Sequence, residues 1–218
     1  MSRNVTRILC CLFVLALACG TLMAQGPRIA PGSHNNSAVV PYVERFGSNA
    51  TATIFSNLGP NNSDLYNDAV GGYYVTGPNA IDNPVDQWIG IPFTPKANSH
   101  ATQLQAALGY ISGTKRAVLA LYTDNGGTAG TLIVQAETSA IPANGTCCQL
   151  AQVAITPTAL TAGTQYWLVA SSDDNRAPDF EAAWQPSNSA NIAGDVGQAG
   201  WFTFSGLVPA GAVKGTIP

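Results

Sequence analysis

Charged residues are scarce in this sequence. Asp, Glu, Lys and Arg together make up 10% of the 218 residues, whereas about 25% is usual for soluble domains. Nine Lys and Arg stand against twelve Asp and Glu, so the net charge is −3. A surface that binds nucleic acid needs clustered positive charge, and this composition excludes one. The polar surface must consist largely of Asn, Gln, Ser and Thr, which is typical of exported β-proteins.

Groups that commonly carry catalysis are also few. The two histidines, His34 and His100, lie far apart in polar stretches. The sequence contains no G-x-S-x-G, H-E-x-x-H or phosphate-loop motif. Glu181 could form a glycosidase pair with Asp179 or Asp195, but almost any two carboxylates could be named in that way. We therefore expect no catalytic residues and no enzymatic activity.

Long apolar runs are missing too. The run Ile8–Ala18 is too short to span a bilayer, which takes about 20 residues, and it follows Arg3 and Arg7 as in a secretory signal peptide. We expect residues 1–24 to be this signal, with cleavage after Ala24. In the alternative interpretation, Cys19 is lipidated as in a lipoprotein. Both interpretations predict an exported protein without a transmembrane segment.

What the sequence does contain is a repeated alternation of apolar and polar residues. The segment Ala117–Thr138 predicts two β-strands joined by a tight acidic loop at Asp124–Gly127. In the first strand apolar residues are nearly continuous, as in a strand covered on both faces. In the second strand Leu132, Val134 and Ala136 are expected to point to one face. A hairpin of this kind needs a larger sheet to be stable in water.

About ten short strands of this type follow one another, roughly 8–15 residues apart, with Gly, Pro and Asn between them. Gln165–Ser171 is the clearest, and Thr102–Ile111 fits a strand or a helix, of which we favour the strand. The pattern predicts an all-β fold, a single antiparallel β-sandwich of jelly-roll type over residues 50–218. Residues 25–49 are expected to form a flexible leader or an edge strand near Val39–Val43.

Several motifs, taken in their order along the chain, resemble one family of exported bacterial domains. They are IFSNLGP (Ile54–Pro60), GYYVTGP (Gly72–Pro78), the W…FTP of Trp88 to Pro95, LYTDNGGTAG (Leu121–Gly130), the Cys147-Cys148 pair and LTAGTQYWLVA (Leu160–Ala170). The sequence is similar over Thr51 to Ile217 to the choice-of-anchor R domain. The resemblance implies a secreted or surface protein without established catalytic residues. The family carries a C-terminal sorting signal, and no such signal precedes Pro218.

Two adjacent cysteines, Cys147 and Cys148, are the pair that remains after removal of the signal. Exported proteins favour disulfides, so a bond between the two neighbours is our first expectation. Such a bond closes a small strained ring. Two thiols on opposite sides of a strand and an intermolecular bridge are the alternatives.

Two acidic loops offer oxygen ligands for Ca²⁺, which prefers several oxygens in a flexible loop. One contains Asp124 and Asn125, and the other contains Asp173 and Asp174, followed by Asp179. Neither loop has the spacing of an EF-hand. The simpler interpretation is a pair of solvated turns with their own side-chain hydrogen bonds. We therefore expect no cofactor, with Ca²⁺ at these residues as the alternative.

Aromatic residues raise the possibility of sugar binding, because exposed rings in a row can stack on pyranoses. The candidates are Trp88, Trp167, Trp184, Trp201, Tyr73 and Tyr74. A strand tryptophan belongs to the core more often than to a ligand site, and this is our interpretation of Trp167. Trp184 and Trp201 lie beside polar segments and are the better ligand candidates.

Together these features predict a secreted or cell-surface β-sandwich that is not an enzyme. The favoured hypothesis is a structural or adhesive role in an extracellular or surface layer, because a low-charge surface and sheet edges permit association. The alternative is a carbohydrate-binding module. The expected partners are extracellular polysaccharide, surface proteins or further copies of the chain.

Overall fold

The computed structural model describes residues 28–30, 51–58, 71–146, 149–187, 192–197 and 200–218. These residues form strands and loops, and no helix among them could cross a membrane. The predicted signal and almost all of the predicted leader lie outside them. The strands are β1 (Ile29–Ala30), β2 (Ala52–Ser56), β3 (Gly72–Thr76), β4 (Trp88–Phe93), β5 (Ser99–Ala106), β6 (Leu108–Ser112), β7 (Ala117–Asp124), β8 (Ala129–Thr138), β9 (Ala151–Leu160), β10 (Tyr166–Ser172), β11 (Glu181–Trp184), β12 (Ile192–Gly197), β13 (Trp201–Gly206) and β14 (Gly211–Thr216).

The strands form three antiparallel sheets. A six-stranded sheet has the order β13-β12-β4-β10-β7-β8, and two four-stranded sheets have the orders β1-β3-β11-β6 and β2-β14-β5-β9. The predicted all-β antiparallel sandwich is therefore confirmed, and the segment Thr102–Ile111 is indeed extended. The structure describes fourteen strands where about ten were expected. β1 and β12 were not anticipated, and the single strand expected over Thr102–Ile111 is divided into β5 and β6. The jelly-roll connectivity stays a prediction.

The two smaller sheets join into a single layer. Strand β6 continues β5 directly, with only Ala107 between them. The Ala107 amide donates to the carbonyl of Ala210 at 2.9 Å, and the Gln185 amide donates to the carbonyl of Ala107 at 3.0 Å. These bonds link the end of β11 and the start of β14 to the same point. The resulting layer lies opposite the six-stranded sheet.

The main core lies between the two layers, and strict alternation of side chains builds it. On β10, Tyr166, Leu168 and Ala170 face this core, whereas Trp167 and Val169 point to the other side of the sheet, as predicted. Each fully buried large aliphatic or aromatic side chain contributes about 1.5–3 kcal/mol relative to an exposed one. The six-stranded sheet supplies Ile89, Ile91, Phe93, Leu119 and Leu121, and the other layer supplies Leu104, Leu108, Val153, Trp184 and Val213.

The predicted central hairpin is present as β7 and β8. Its loop contains Gly126 and Gly127 with φ of 66° and 95°, a backbone conformation that glycine adopts without strain. One detail was wrong. Register shifts place Leu132 opposite Tyr122 and Val134 opposite Leu121, so Leu132 lies on the outer face and Val134 on the inner. The extra residue of a β-bulge causes this switch.

Two further segments show how partners decide strand ends. Strand β14 returns to pair with the early strand β2 and with β5. Pro157 lies inside β9, which continues to Leu160. The proline is tolerated because β9 is an edge strand with a register shift at this position.

Candidate functional site

The outer face of the six-stranded sheet carries a second cluster of apolar side chains. Four aromatic residues from four strands form it, and we call them the aromatic face: Trp88 of β4, Tyr122 of β7, Trp167 of β10 and Trp201 of β13. Trp167 is 1% exposed, whereas the other three rings are partly exposed. A large apolar residue on the solvent side of a sheet points to a binding surface or to a small secondary core.

The three partly exposed rings are in edge-to-face contact. The centroid of Trp201 lies 6.5 Å from that of Trp88 and 6.1 Å from that of Tyr122, with interplanar angles of 65° and 66°. Aromatic pairs favour this arrangement because the positive edge of one ring meets the negative face of the other. Trp201 therefore connects Trp88 to Tyr122 in a continuous row across the sheet.

Gly90 allows this row to form. A Cβ atom at Gly90 would lie 3.3 Å from Val169 Cγ2, 3.4 Å from Trp167 Cε3 and 3.5 Å from Trp201 Cζ3. An alanine methyl group would be in close contact with all three side chains, and a longer side chain at position 90 would have to displace one of them. The glycine in the Trp-Ile-Gly-Ile sequence thus serves close packing on the outer face.

The Asp124 carboxylate anchors one end of the aromatic face. Its Oδ1 accepts hydrogen bonds from Trp167 Nε1 at 2.9 Å and from Gln165 Nε2 at 2.7 Å, and the Gly127 amide donates to it at 3.2 Å. These bonds, with that from Trp167 the strongest, hold the pKa of Asp124 below its usual value. Asp124 is therefore an ionised acceptor beside the rings.

Asp86 lies at the other end and differs in its ionisation. Its Oδ1 accepts a hydrogen bond from Trp88 Nε1 at 2.7 Å. Burial, and next the negative charge of Asp174, raise the pKa of Asp86 to about 6. One end of the aromatic face thus carries a permanent negative charge and the other a carboxyl group that titrates near pH 6.

Trp184 does not belong to this surface, and the ligand role predicted for it is wrong. Its side chain is 0% exposed, and its Nε1 donates to the carbonyl of Ala210 at 2.8 Å. The short β11 lies between β3 and β6, so its alternate residues enter the core. Tyr73 and Tyr74, which were also considered for stacking, are buried as well. Of the two proposed ligand residues, Trp201 alone is accessible.

The four residues considered for Ca²⁺ do not come together. Asp124 ends β7, whereas Asp173 and Asp174 follow Ser172, which pairs with the first residue of β7. Asp173 forms an ion pair with Arg176 at 2.6 Å, and Asp174 accepts a hydrogen bond from Ser172. Asn125 is exposed in the hairpin loop. In the described part of the chain no three His, Cys, Asp or Glu side chains share a possible metal site.

Cys147 and Cys148 lie outside the described residues, so their predicted disulfide stays a prediction. Tyr122 is the residue of the aromatic face that the sequence did not reveal. It lies in the apolar run of β7, where every large residue was interpreted as covered. Tyr122 lies opposite Trp167 because β7 pairs with β10. The sequence of β7 alone does not reveal this pairing.

No family model, curated protein or solved structure matches the chain. The resemblance to the choice-of-anchor R domain accordingly stays a prediction. The aromatic face is interpreted below from its own geometry.

Proposed function

We propose that this protein is a secreted or surface-exposed β-sandwich that adheres to extracellular polysaccharide through its aromatic face. The observation that carries the proposal is the row of three partly exposed rings, Trp88, Trp201 and Tyr122, in mutual contact on the outer side of a sheet. Of the two functions expected from the sequence, the geometry favours carbohydrate binding, and the adhesive role follows from it. No reactive group is required.

A polysaccharide suits this surface chemically. Pyranose rings present C–H groups that pack on the negative face of an aromatic ring, and their hydroxyl groups donate to carboxylates. The aromatic face supplies both partners, because Asp86 and Asp124 lie within hydrogen-bond distance of the indoles of Trp88 and Trp167. Ligand sites commonly combine an apolar surface with a few oriented polar groups in this way.

The test is binding of the purified protein to a panel of neutral and acidic polysaccharides by affinity electrophoresis and glycan array. We expect Trp201→Ala and Trp88→Ala to weaken binding at least tenfold, which corresponds to about 1.4 kcal/mol. Ile81→Ala is the matched control, because Ile81 is exposed and apolar but does not belong to the aromatic face. Binding that survives both tryptophan substitutions, or no binding to any polysaccharide, would contradict the proposal.

A second candidate function, self-association, rests on a different surface. Strand β8 is a ten-residue edge of the six-stranded sheet, and on it Leu132 and Ile133 are 42% and 38% exposed. An exposed apolar edge favours addition of another strand. A second copy fits, because antiparallel pairing about the centre of β8 sets Glu137, its one charged residue, opposite Gly130 and avoids like-charge contact.

Sedimentation velocity separates the two functions. If β8 mediates association, the protein dimerises and Ile133→Lys makes it monomeric without loss of polysaccharide binding, because a lysine on an edge strand opposes pairing. A wild-type protein that stays monomeric at high concentration would rule out the second candidate only.

A further inference from the structure

A buried carboxylate, Glu181, lies apart from the aromatic face, on the outer side of the four-stranded sheet that contains β3 and β11. Its side chain is 0% exposed. Oε2 accepts hydrogen bonds from Ser112 Oγ at 2.8 Å and from the Asp82 amide at 3.3 Å. Oε1 is buried and has no hydrogen-bond partner. The described ion pairs join other residues, namely Arg116, Glu137, Asp173 and Arg176.

A second buried acceptor without a partner lies in the adjoining loop between β3 and β4. Asn83 is 0% exposed, and its Oδ1 makes no hydrogen bond. The orientation of its amide is fixed by Thr76. The Thr76 hydroxyl donates to the carbonyl of Val85 at 2.6 Å, so its oxygen must accept from Asn83 Nδ2 at 3.1 Å. Because Nδ2 faces Thr76, Asn83 Oδ1 points away from Thr76.

Register and hydrogen bonds make Glu181 and Asn83 neighbours. Thr76, which holds Asn83, is the cross-strand partner of Glu181, and directly opposed residues have Cβ atoms about 4.5–5.5 Å apart. The residue before Asn83, Asp82, donates its amide to Glu181. Besides burial, the charges of Glu181 and Asp82 raise the pKa of Tyr74 and the charge of Arg28 lowers it, so two carboxylates and one cation lie near the same phenol.

Buried oxygen acceptors need a hydrogen-bond donor or a positive charge. A buried acceptor without a partner is costly, and a buried carboxylate costs more because it loses its hydration. A hard cation would satisfy Glu181 Oε1 and Asn83 Oδ1 at once, since carboxylate and amide oxygens are the ligands that Ca²⁺ prefers. The Asp82 side chain is exposed and can close the site from the solvent side.

We propose that Glu181, Asn83 and Asp82 form a binding site for a hard divalent cation of the Ca²⁺ class. This site is distinct from the two acidic loops that the sequence brought into consideration for calcium. A bound cation would fasten the β3–β4 loop to β11. The proposal does not rest on polysaccharide binding, because none of its three residues belongs to the aromatic face.

The test is thermal unfolding and calorimetric titration of the EDTA-treated full chain with CaCl₂, compared with MgCl₂ and KCl. We expect millimolar Ca²⁺ to raise the Tm by several degrees, since a ligand that binds only the folded state stabilises it. Glu181→Gln should abolish this shift, and Glu137→Gln, which alters a carboxylate in a surface ion pair, should retain it.

Asp82→Asn gives a second measurement should Glu181→Gln fail to fold. Its loop position makes it compatible with the fold, and we expect about tenfold weaker Ca²⁺ binding. A wild-type protein whose Tm is unchanged by all three salts would overturn the proposal. An equal Ca²⁺ shift in wild type, Glu181→Gln and Asp82→Asn would overturn it too.

Discussion

The indole Nε1 of Trp167 donates a hydrogen bond to Asp124 Oδ1 at 2.9 Å, which ties the β7–β8 loop to the central strand β10. Trp167 thereby has two roles. Its ring fills the cluster under the aromatic face, and its polar edge fixes the loop that borders that face. The pairing of Trp167 with Tyr122 across β10 and β7 places the partly exposed Tyr122 ring beside this anchor.

Asp124→Asn should destabilise the protein above about pH 4 by about 1–2 kcal/mol, because charge-assisted hydrogen bonds to Trp167 and Gln165 become neutral ones. The pKa of Asp124 is lowered in the folded state. Its contribution is therefore present above the unfolded pKa and is lost as the pH falls through the folded pKa. Urea unfolding of wild type and variant at pH 7 and at pH 2.5 measures the difference in the free energy of unfolding at each pH. In a Trp167→Phe background the substitution should cost less, and equal costs would contradict the coupling.

Asp86→Asn should show the opposite pH dependence. The pKa of Asp86 is raised to about 6, so its contribution to stability is full below the unfolded pKa and is lost as the pH rises through 6. The variant should exceed wild type in Tm at pH 7.5 and match it near pH 4. Because the side chain is partly exposed, we expect at most about 1–2 kcal/mol. Asp174→Asn should move the wild-type transition to lower pH, and an unchanged transition would argue against repulsion by Asp174.

Trp184→Phe should reduce the free energy of unfolding by about 1–3 kcal/mol, because it leaves a gap in the core and removes one of the two hydrogen bonds to the Ala210 carbonyl. Chemical denaturation measures the loss. Polysaccharide binding by the folded variant should be unchanged. In Trp201→Phe we expect the reverse, a small change in stability and weaker binding. If the folded Trp184→Phe variant bound polysaccharide more weakly than wild type, the assignment of Trp184 to the core would be contradicted.

Gly113→Ala should cost at least about 2 kcal/mol. Gly113 has a φ of 80°, and a Cβ atom there would lie 1.9 Å from the carbonyl oxygen of Asp179. Gly126→Ala is the matched control, since its φ of 66° is similar but nothing lies within 4 Å of the added atom. The difference in Tm between the two variants measures the cost of the steric clash at position 113. Equal Tm values would show that the positive φ alone makes alanine unfavourable at both positions.

The parts of the fold that follow from local pattern were predictable. Alternation along Tyr166–Ser172 and the Asn-Gly-Gly sequence after Asp124 each fix a strand face or a turn without help from distant residues. Features of a strand that depend on its neighbouring strands could not be predicted from the sequence. A proline within a strand usually marks a sheet edge, yet Pro92 belongs to β4, which lies between β12 and β10. The proline is accommodated because β12 pairs only with Trp88–Gly90.

The candidate site shows the same division. Trp201 was identified because a large ring stands among polar residues, whereas the identical argument failed for Trp184. The two differ in the position of their strands, since β13 is an edge and β11 is enclosed between β3 and β6. Glu181 and Asn83 meet only because β3 pairs with β11 and the following loop folds back. Their sequence neighbours give no indication of this.

The position of β14 between β2 and β5 has a consequence for how the chain acquires its structure. The Gly211 amide bonds Asn57 Oδ1 at 2.7 Å across 154 positions, and β2 pairs with β14 on the same side. Ordering such distant segments is slow, so folding should take roughly milliseconds to seconds. Residues 52–57 therefore cannot complete their strand pairing until β14 has been synthesised.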